Sequence, residues 1–186
     1  MSTLIEPIVS VADLDAMPDD GNRYELIEGE ILMSRAPAIT HQLISGNLFA
    51  AIKTYLDRNP IGKVIATPGL ILSNYDAVIP DIVFIRNERF DEIVSDEKLI
   101  AAPDLVIEIL SPGAENERRD RTSKRQLYGR YGVREYWVVD PKGRSISIYR
   151  PSRRGLRLAA TLGEPDEIRT PLLPGFSLDV ASAFSL

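Results

Sequence analysis

Two carboxylates that stand beside or inside apolar runs are the residues of this chain best suited to chemistry. Asp81 directly precedes the apolar run 82–85, and Glu108 lies within the run 105–110. A carboxylate inside a fully covered strand is costly unless it is paired, protonated or bound to a cation. If the two runs pair as neighbouring strands, their carboxylates converge on an oxygen site that suits Mg²⁺ or Mn²⁺, and such cations support phosphate chemistry. Taken singly, Asp81 also fits a turn residue, and Glu108 fits an edge-strand carboxylate paired with an arginine.

Lys124, 16 residues beyond Glu108, is a cation that could join these carboxylates. Asp120, Lys124 and Tyr128 follow one another at i,i+4 steps, so they share one face of a predicted helix. Lys124 therefore fits a surface pair with Asp120. If the helix instead packs across the Glu108 strand, the Lys124 ammonium could reach a water or a phosphate beside the metal.

Glu25 and His41 are two further candidates, each with a simpler alternative. Glu25 lies in a stretch of alternating polar and apolar residues, which favours a solvent-facing position, although it could add a third carboxylate to the site. His41, the single histidine of the chain, lies in the first turn of a predicted helix. We expect it to be a cap or surface residue rather than a base.

Hydrophobic periodicity and turn residues predict the elements that must position these side chains. Alternating residues on either side of Glu28 and Gly29 predict a hairpin over about 23–35. The order of the remaining elements predicts an α/β (α+β) fold, with a mixed β-sheet flanked by helices. Predicted helices cover 11–18, 40–58 and 115–131, a short helix with a loop covers 87–98, and predicted strands cover 63–66, 69–72, 82–85, 105–110, 135–139, 145–149 and 156–161.

The length of 186 residues predicts one domain with a single well-buried core. Within it we expect the N-terminal hairpin, a core over about 40–150, and a C-terminal strand and tail over 151–186. No apolar run approaches the roughly 18 to 20 residues that cross a bilayer, and the first residues lack the pattern of a secretory signal. The sequence therefore predicts a cytoplasmic protein without a membrane segment. The absence of cysteine excludes thiolate zinc sites, and one histidine excludes a histidine-rich metal site within the chain.

Basic residues are concentrated in one part of an acidic chain. The net charge is -5, yet residues 118–157 carry 13 lysines and arginines against three acidic residues. Such asymmetry is typical of a surface that binds a polyanion such as nucleic acid. On its own it favours a solvated helix face followed by charged hairpin loops.

Five motifs, in chain order, carry a resemblance to a known family: YELIEGE, IPDIVF, PDLVIEILSP, DRTSKRQLYGRYGV and EYWVVD. Over about residues 24–149 the chain resembles the Uma-two family of restriction endonucleases, a bacterial group in the PD-(D/E)XK nuclease superfamily. The resemblance implies a restriction-endonuclease-like core, in which a mixed four-stranded sheet is flanked by helices and holds metal at its strand ends.

The same resemblance implies roles for individual residues. Asp81 matches the motif aspartate of the superfamily, and Glu108 matches its second acidic residue. Position 110 departs from the motif, because Leu110 stands where the superfamily has a lysine. Within this family the resemblance implies Lys124 as the replacement.

Together these features predict a Mg²⁺- or Mn²⁺-dependent endonuclease that hydrolyses DNA phosphodiester bonds. Asp81 and Glu108 would hold the metal, with Glu25 as a candidate third ligand, and Lys124 would orient the attacking water or contact the scissile phosphate. Four arginines would line part of the DNA backbone track: Arg118, Arg119, Arg121 and Arg125.

The assembly and two alternative functions stay open. Cleavage of both strands of a duplex commonly uses a dimer in this superfamily, which makes a homodimer a candidate assembly. One alternative is a protein of the same fold that has lost cleavage and serves as a nucleic-acid or protein interaction module. The other is a metal-dependent hydrolase of a small phosphate ester.

Overall fold

The two apolar runs that carry the acidic residues form neighbouring strands in the middle of one sheet. In the computed structural model, which describes residues 8–18, 20–34 and 36–185, β6 (Ile82–Arg86) pairs antiparallel with β9 (Leu105–Ile109). All five residues of β9 are buried. Both faces of these strands are covered, which is why their sequences are continuous apolar runs rather than alternating ones.

The central sheet is mixed, as predicted. It contains four further strands, which are β3 (Gly62–Ala66), β10 (Glu135–Asp140), β11 (Ser145–Ser152) and β12 (Gly155–Gly163). The strand order is β12-β11-β10-β9-β6-β3, with β9 and β10 parallel and the other neighbours antiparallel. The sheet has six strands rather than the four that the resemblance implies, because the hairpin of β11 and β12 extends it beyond β10.

A second sheet of six strands carries the predicted hairpin at one end. The end of that hairpin predicted at Arg35 lies outside the described residues. A separate two-stranded sheet pairs β13 (Glu167–Ile168) with β14 (Leu178–Asp179). In spatial order, the strands of the second sheet are β2 (Glu30–Ser34), β1 (Arg23–Ile27), β5 (Asp76–Val78), β4 (Leu70–Ser73), β8 (Lys98–Leu99) and β7 (Val94–Ser95).

Two long helical stretches cover the two faces of the central sheet. The first is α2 (Ile39–Arg58). The second matches the helix predicted over 115–131 but has three parts, which are α4 (Ala114–Arg118), a π-helical segment (Arg119–Lys124) and α5 (Arg125–Arg130). Shorter helices are α1 (Val11–Asp15), α3 (Asn87–Ile93) and α6 (Val180–Ala183). None of the helices in the described ranges combines the length and the apolar character that crossing a bilayer requires.

The alternation of side chains along β9 decides which face receives Glu108. Ile107 packs in the apolar cluster that includes α2, whereas Val106 packs with Leu127 of α5 in the opposite cluster. Residues two apart on a strand share a face, so Glu108 points to the same side as Val106. The helical stretch that carries Lys124 lies on that side.

Asp76, in β5, links the turn between β1 and β2 to the end of α5 through hydrogen bonds. Its carboxylate accepts hydrogen bonds from the Glu28 N–H (2.9 Å), the Ser73 hydroxyl (2.7 Å) and the Tyr131 hydroxyl (2.8 Å). Burial alone would raise the pKa of Asp76, but these hydrogen bonds outweigh it and hold the pKa below its ordinary value. The hairpin is thereby tied to the helix that faces Glu108.

Asp76→Asn is expected to lower the free energy of unfolding by about 1 to 2 kcal/mol at pH 7, because hydrogen bonds to a carboxylate are stronger than those to an amide. A lowered folded-state pKa stabilises the protein above the ordinary pKa, and this contribution is lost as the pH falls through the folded-state value. The difference from wild type should therefore shrink below about pH 4. Urea unfolding at pH 7 and pH 3.5 measures it, and a difference independent of pH would contradict the role of the charge.

Candidate active site

Asp81 and Glu108 lie side by side at two inner strands of the central sheet, directly before the start of β6 and near the end of β9. Ile82 stands opposite Ile107 in the antiparallel pair of β6 and β9, so the next residue outward on each strand is also a neighbour of its counterpart. The Ile109 N–H donates a hydrogen bond of 2.8 Å to Oδ2 of Asp81. Both carboxylates line one pocket, whose volume is about 60 Å³.

Glu108 is 4% exposed and accepts two hydrogen bonds at one oxygen, Oε1. The Lys124 ammonium donates at 2.9 Å, and the Tyr128 hydroxyl donates at 2.7 Å. Because β9 lies between β10 and β6, Glu108 is not on an edge strand, and its cationic partner is a lysine. The edge-strand alternative, with an arginine partner, is therefore wrong.

Lys124 is 2% exposed and contacts three carboxylates. Its Nζ lies 2.8 Å from Oε1 of Glu25, 2.9 Å from Oε1 of Glu108 and 3.9 Å from Oδ1 of Asp120. The surface pair with Asp120 is not found, because both side chains are buried and the two glutamates lie nearer. The π-helical segment, with its wider turns, carries Arg119, Asp120 and Lys124, which all line the pocket.

Glu25, at the centre of β1, is 3% exposed rather than solvent-facing. Its Oε1 accepts a hydrogen bond of 2.8 Å from the Ile79 N–H and lies 2.8 Å from the Lys124 ammonium. The second sheet thus brings a carboxylate of the hairpin to the strand ends of the central sheet. In this arrangement Glu25 holds Lys124 beside Glu108.

His41 is also buried beside the acidic pair, with 7% of its surface exposed. The expectation of a cap or surface residue is wrong: the N-cap of α2 is Ala38, and Nε2 of His41 lies 3.2 Å from Oδ2 of Asp81. The physical reason is that the first turn of α2 abuts the start of β6. Position in a first turn does not reveal such a contact between distant parts of the chain.

Sequence reasoning does not select Asp120 or Arg23 for the site, although both line the pocket. Asp120 is 3% exposed, and Nε of Arg119 lies 3.5 Å from its Oδ1. One pattern could have found it, since Asp120 and Lys124 share a helix face with Tyr128, and a large aromatic residue favours burial of that face. Arg23, at the start of β1, shows no comparable pattern.

Negative charge exceeds positive charge around the pocket. Burial raises the pKa of Glu108 to about 8, Lys124 opposes the rise, and the neighbouring carboxylates add to it. Burial likewise raises the pKa of Asp120. A further cation in the pocket would therefore favour the ionised form of Glu108. The charged side chains that line the pocket are four carboxylates, Glu25, Asp81, Glu108 and Asp120, and three cations, Arg23, Arg119 and Lys124.

The donor set fits a small, hard cation such as Mg²⁺ or Mn²⁺. Mg²⁺ is commonly bound by one or two carboxylates, with waters and substrate phosphates completing its coordination. Asp81 and Glu108 supply such a pair of carboxylates on one pocket. Within residues 8–18, 20–34 and 36–185, no three His, Cys, Asp or Glu side chains form a ready metal cluster. The Lys124 ammonium stands between Glu25 and Glu108, which keeps these two carboxylates from closing on a common ion.

The four arginines predicted to contact DNA separate into two pairs. Arg121 donates to Asp140 at 2.8 Å. Arg125 donates to the Leu156 carbonyl at 3.2 Å, and its guanidinium stacks on the Tyr149 ring at 5.5 Å from the centroid. In contrast, Arg118 and Arg119 line a cleft of about 310 Å³ between the hairpin and the helical stretch, and Arg119 also lines the candidate site.

The class of fold follows from a solved structure. The crystal structure described as "a putative nuclease belonging to DUF820 from Anabaena variabilis ATCC 29413" matches with a TM-score of 0.78 and 20% sequence identity, covering 95% of this chain and 97% of that chain. At this identity the likeness shows the fold, which is the nuclease-like fold that the sequence predicted. None of the curated proteins matches the chain.

The family follows from the sequence itself. The family model for Uma2, described as "Putative restriction endonuclease", matches residues 11–181, which is most of the chain. The chain belongs to the Uma2 family, and the resemblance carried by its five motifs is confirmed.

Proposed function

We propose that this protein is a Mg²⁺- or Mn²⁺-dependent endonuclease that hydrolyses DNA phosphodiester bonds. The observation that carries the proposal is the pairing of the buried Lys124 ammonium with Glu108 at 2.9 Å, beside Asp81 at the neighbouring strand end. Two carboxylates and an ammonium in one pocket supply the charges that phosphodiester hydrolysis needs. Nuclease family membership and a nuclease-like fold support the same activity.

Each residue has a role in this proposal. Asp81 and Glu108 would hold the metal, which when bound supplies a Lewis acid and an activated water. Lys124 would orient that water or contact the scissile phosphate. Burial would lower the pKa of Lys124, but Glu108, Glu25 and Asp120 outweigh it and raise the pKa above its ordinary value, so the ammonium stays charged. Glu25 keeps this ammonium in place through its own hydrogen bond to the Ile79 N–H.

DNA would pass the site along the cleft between the hairpin and the helical stretch. Arg119 lines both the cleft and the candidate site, and Arg118 lines the cleft next to it. Phosphates on the helical side of the cleft would meet these two arginines, whereas Glu28 and Glu30 line the hairpin side. A polymer fits this arrangement better than a small phosphate ester, because the candidate site shares Arg119 with the adjoining cleft of about 310 Å³. Asp81, Glu108 and Lys124 are all present, which favours cleavage over an interaction module that has lost it.

A homodimer would present two such sites to the two strands of a duplex, and we propose the cytoplasm as the location. The organisation as one domain, with its hairpin, core and C-terminal tail, stays a prediction from length.

The direct test is nicking of supercoiled plasmid. We expect nicked circles with Mg²⁺ or Mn²⁺ and none with EDTA. Asp81→Asn should abolish nicking, because an amide is a poor ligand for these ions. Asp57→Asn, on an exposed part of α2, is the matched control and should cleave like wild type. Wild type that nicks with neither ion, or Asp81→Asn that nicks at the wild-type rate, would contradict the proposal.

The salt dependence of DNA binding should distinguish neighbouring arginines. Arg118→Ala is expected to reduce the slope of log affinity against log salt by about one, since it removes one phosphate contact. Arg121→Ala, in the same helical stretch, should leave the slope unchanged because Arg121 is engaged with Asp140. Binding to a labelled duplex between 50 and 200 mM NaCl, with Ca²⁺ in place of Mg²⁺, measures both variants. Equal slopes for the two variants would contradict the proposed path.

A further inference from the structure

We propose that His41 is a positioning residue that holds the Asp81 carboxylate in the orientation a metal ion requires. The inference rests on the proposed function and adds a residue beyond the acidic pair and the lysine. Nε2 of His41 lies 3.2 Å from Oδ2 of Asp81. The Ile109 N–H donates to the same oxygen at 2.8 Å. The imidazole contact and the Ile109 hydrogen bond both engage Oδ2, which restrains the carboxylate and leaves Oδ1 for a cation.

The imidazole contact and the backbone hydrogen bond join three elements at one carboxylate. His41 comes from the first turn of α2, Asp81 stands directly before β6, and Ile109 ends β9. All three elements contribute to the same apolar cluster, so each partner is held by packing as well as by its polar contact. A ligand supported in this way is fixed before its ion arrives.

The place of His41 in α2 argues against a packing role alone. It begins the buried stripe of the helix, which continues through Ile44, Leu48 and Ile52. An apolar side chain would extend that stripe without cost, whereas Nδ1 of His41 is buried and has no hydrogen-bond partner among the described residues. An unpaired buried polar atom is destabilising. The contact of Nε2 with Asp81 explains why a histidine stands where the stripe reaches the pocket.

We expect the contact to be a hydrogen bond donated by Nε2, and this can be tested directly because the chain contains one histidine. In tag-free, metal-free protein labelled with ¹⁵N-histidine, the two-bond ¹H–¹⁵N spectrum contains a single imidazole. We expect a proton on Nε2 that exchanges slowly with water, and its exchange should become fast in Asp81→Ala. A ring whose Nε2 is unprotonated in the wild-type protein would overturn the inference.

The effect of His41 on metal binding at the candidate site is measured as Mn²⁺ affinity. The EPR signal of free Mn²⁺ gives this affinity without any cleavage assay. His41→Leu, which cannot donate, should weaken Mn²⁺ binding about 10- to 100-fold, as removal of a partner of a ligand commonly does. His41→Gln, whose amide can still donate, should recover most of the affinity. Ile44→Val is the packing control on the same stripe, and it should change stability but leave Mn²⁺ affinity unaltered.

The outcomes separate this inference from the proposed function. Equal Mn²⁺ affinity in His41→Leu and wild type, or no Mn²⁺ binding by wild type, would overturn the inference. A nitrogen coupling showing that the imidazole binds Mn²⁺ directly would also overturn it, because His41 would then be a ligand. Protein that binds Mn²⁺ with the expected dependence on His41 but does not nick DNA would contradict the endonuclease and leave the positioning role supported.

Discussion

Glu108→Gln is expected to abolish metal-dependent nicking and, at the same time, to make the metal-free protein more stable at pH 9. Activity is lost because the amide replaces a carboxylate that would hold the metal. Stability rises because ionised Glu108 is 4% exposed and shares its surroundings with other carboxylates. Glutamine keeps the size of the side chain and the oxygen that accepts from Lys124 and Tyr128, without the buried charge.

The sign of this effect with pH follows from the raised pKa of Glu108, about 8 in the folded protein. The stability that comes from the extra bound proton is complete below the ordinary pKa of a glutamate and is lost as the pH rises through about 8. Glutamine does not titrate, so the variant should equal wild type near pH 4 and exceed it by roughly 3 kcal/mol at pH 9. Urea unfolding in EDTA across this range measures the difference. The exposed Glu117→Gln is the control, and a variant less stable than wild type at pH 9 would contradict the argument.

Lys124→Met should abolish nicking and also lower the free energy of unfolding by about 3 kcal/mol at pH 8, because it leaves Glu25 and Glu108 buried without their cation. The sequence predicts that Lys124 orients the attacking water or contacts the scissile phosphate, and the burial of its side chain adds an effect on folding. The loss should be smaller at pH 5, where protons can replace the missing cation on the carboxylates.

A matched substitution separates the buried lysine from an ordinary ion pair. Lys53 pairs with Asp57 at i,i+4 on α2, with about half of its side chain exposed. Lys53→Met should therefore change the free energy of unfolding by no more than about 0.5 kcal/mol. Thermal or urea unfolding of both variants at pH 5 and pH 8 tests the contrast. Similar small losses in both variants would show that Lys124 does not neutralise the glutamates.

The elements that can be predicted from the sequence are those whose residues form a recognisable local pattern of apolar and polar side chains. The runs around Asp81 and Glu108 are continuous and apolar because both faces of their strands are covered, and this pattern is visible in the sequence. The second sheet is not visible as one unit, because several of its strands have two to four residues and pair across long stretches of chain. The π-helical segment is hidden for a related reason, since its residues have ordinary helical propensity.

The candidate site shows the same division between local pattern and tertiary contact. Asp81, Glu108 and Lys124 are predicted from motifs and spacing, whereas the burial of His41 and Asp120 depends on which elements meet. A polar residue in an amphipathic helix is assigned to the surface unless its partner is known. That partner is Asp81 for His41, and it lies 40 residues away in sequence.

The hairpin of β1 and β2 is anchored to the rest of the second sheet at its turn and at Glu25. Its turn is held by the Gly29 N–H, which donates to the Tyr75 carbonyl at 2.9 Å, and by Asp76, while Glu25 is held by the Ile79 N–H. We therefore expect the width of the cleft between the hairpin and the helical stretch to be set when the protein folds. Binding of a partner then need not order the hairpin. We expect a partner that matches this width to enter without rearranging the protein, and a stiffer or broader one to bear the whole cost of deformation itself.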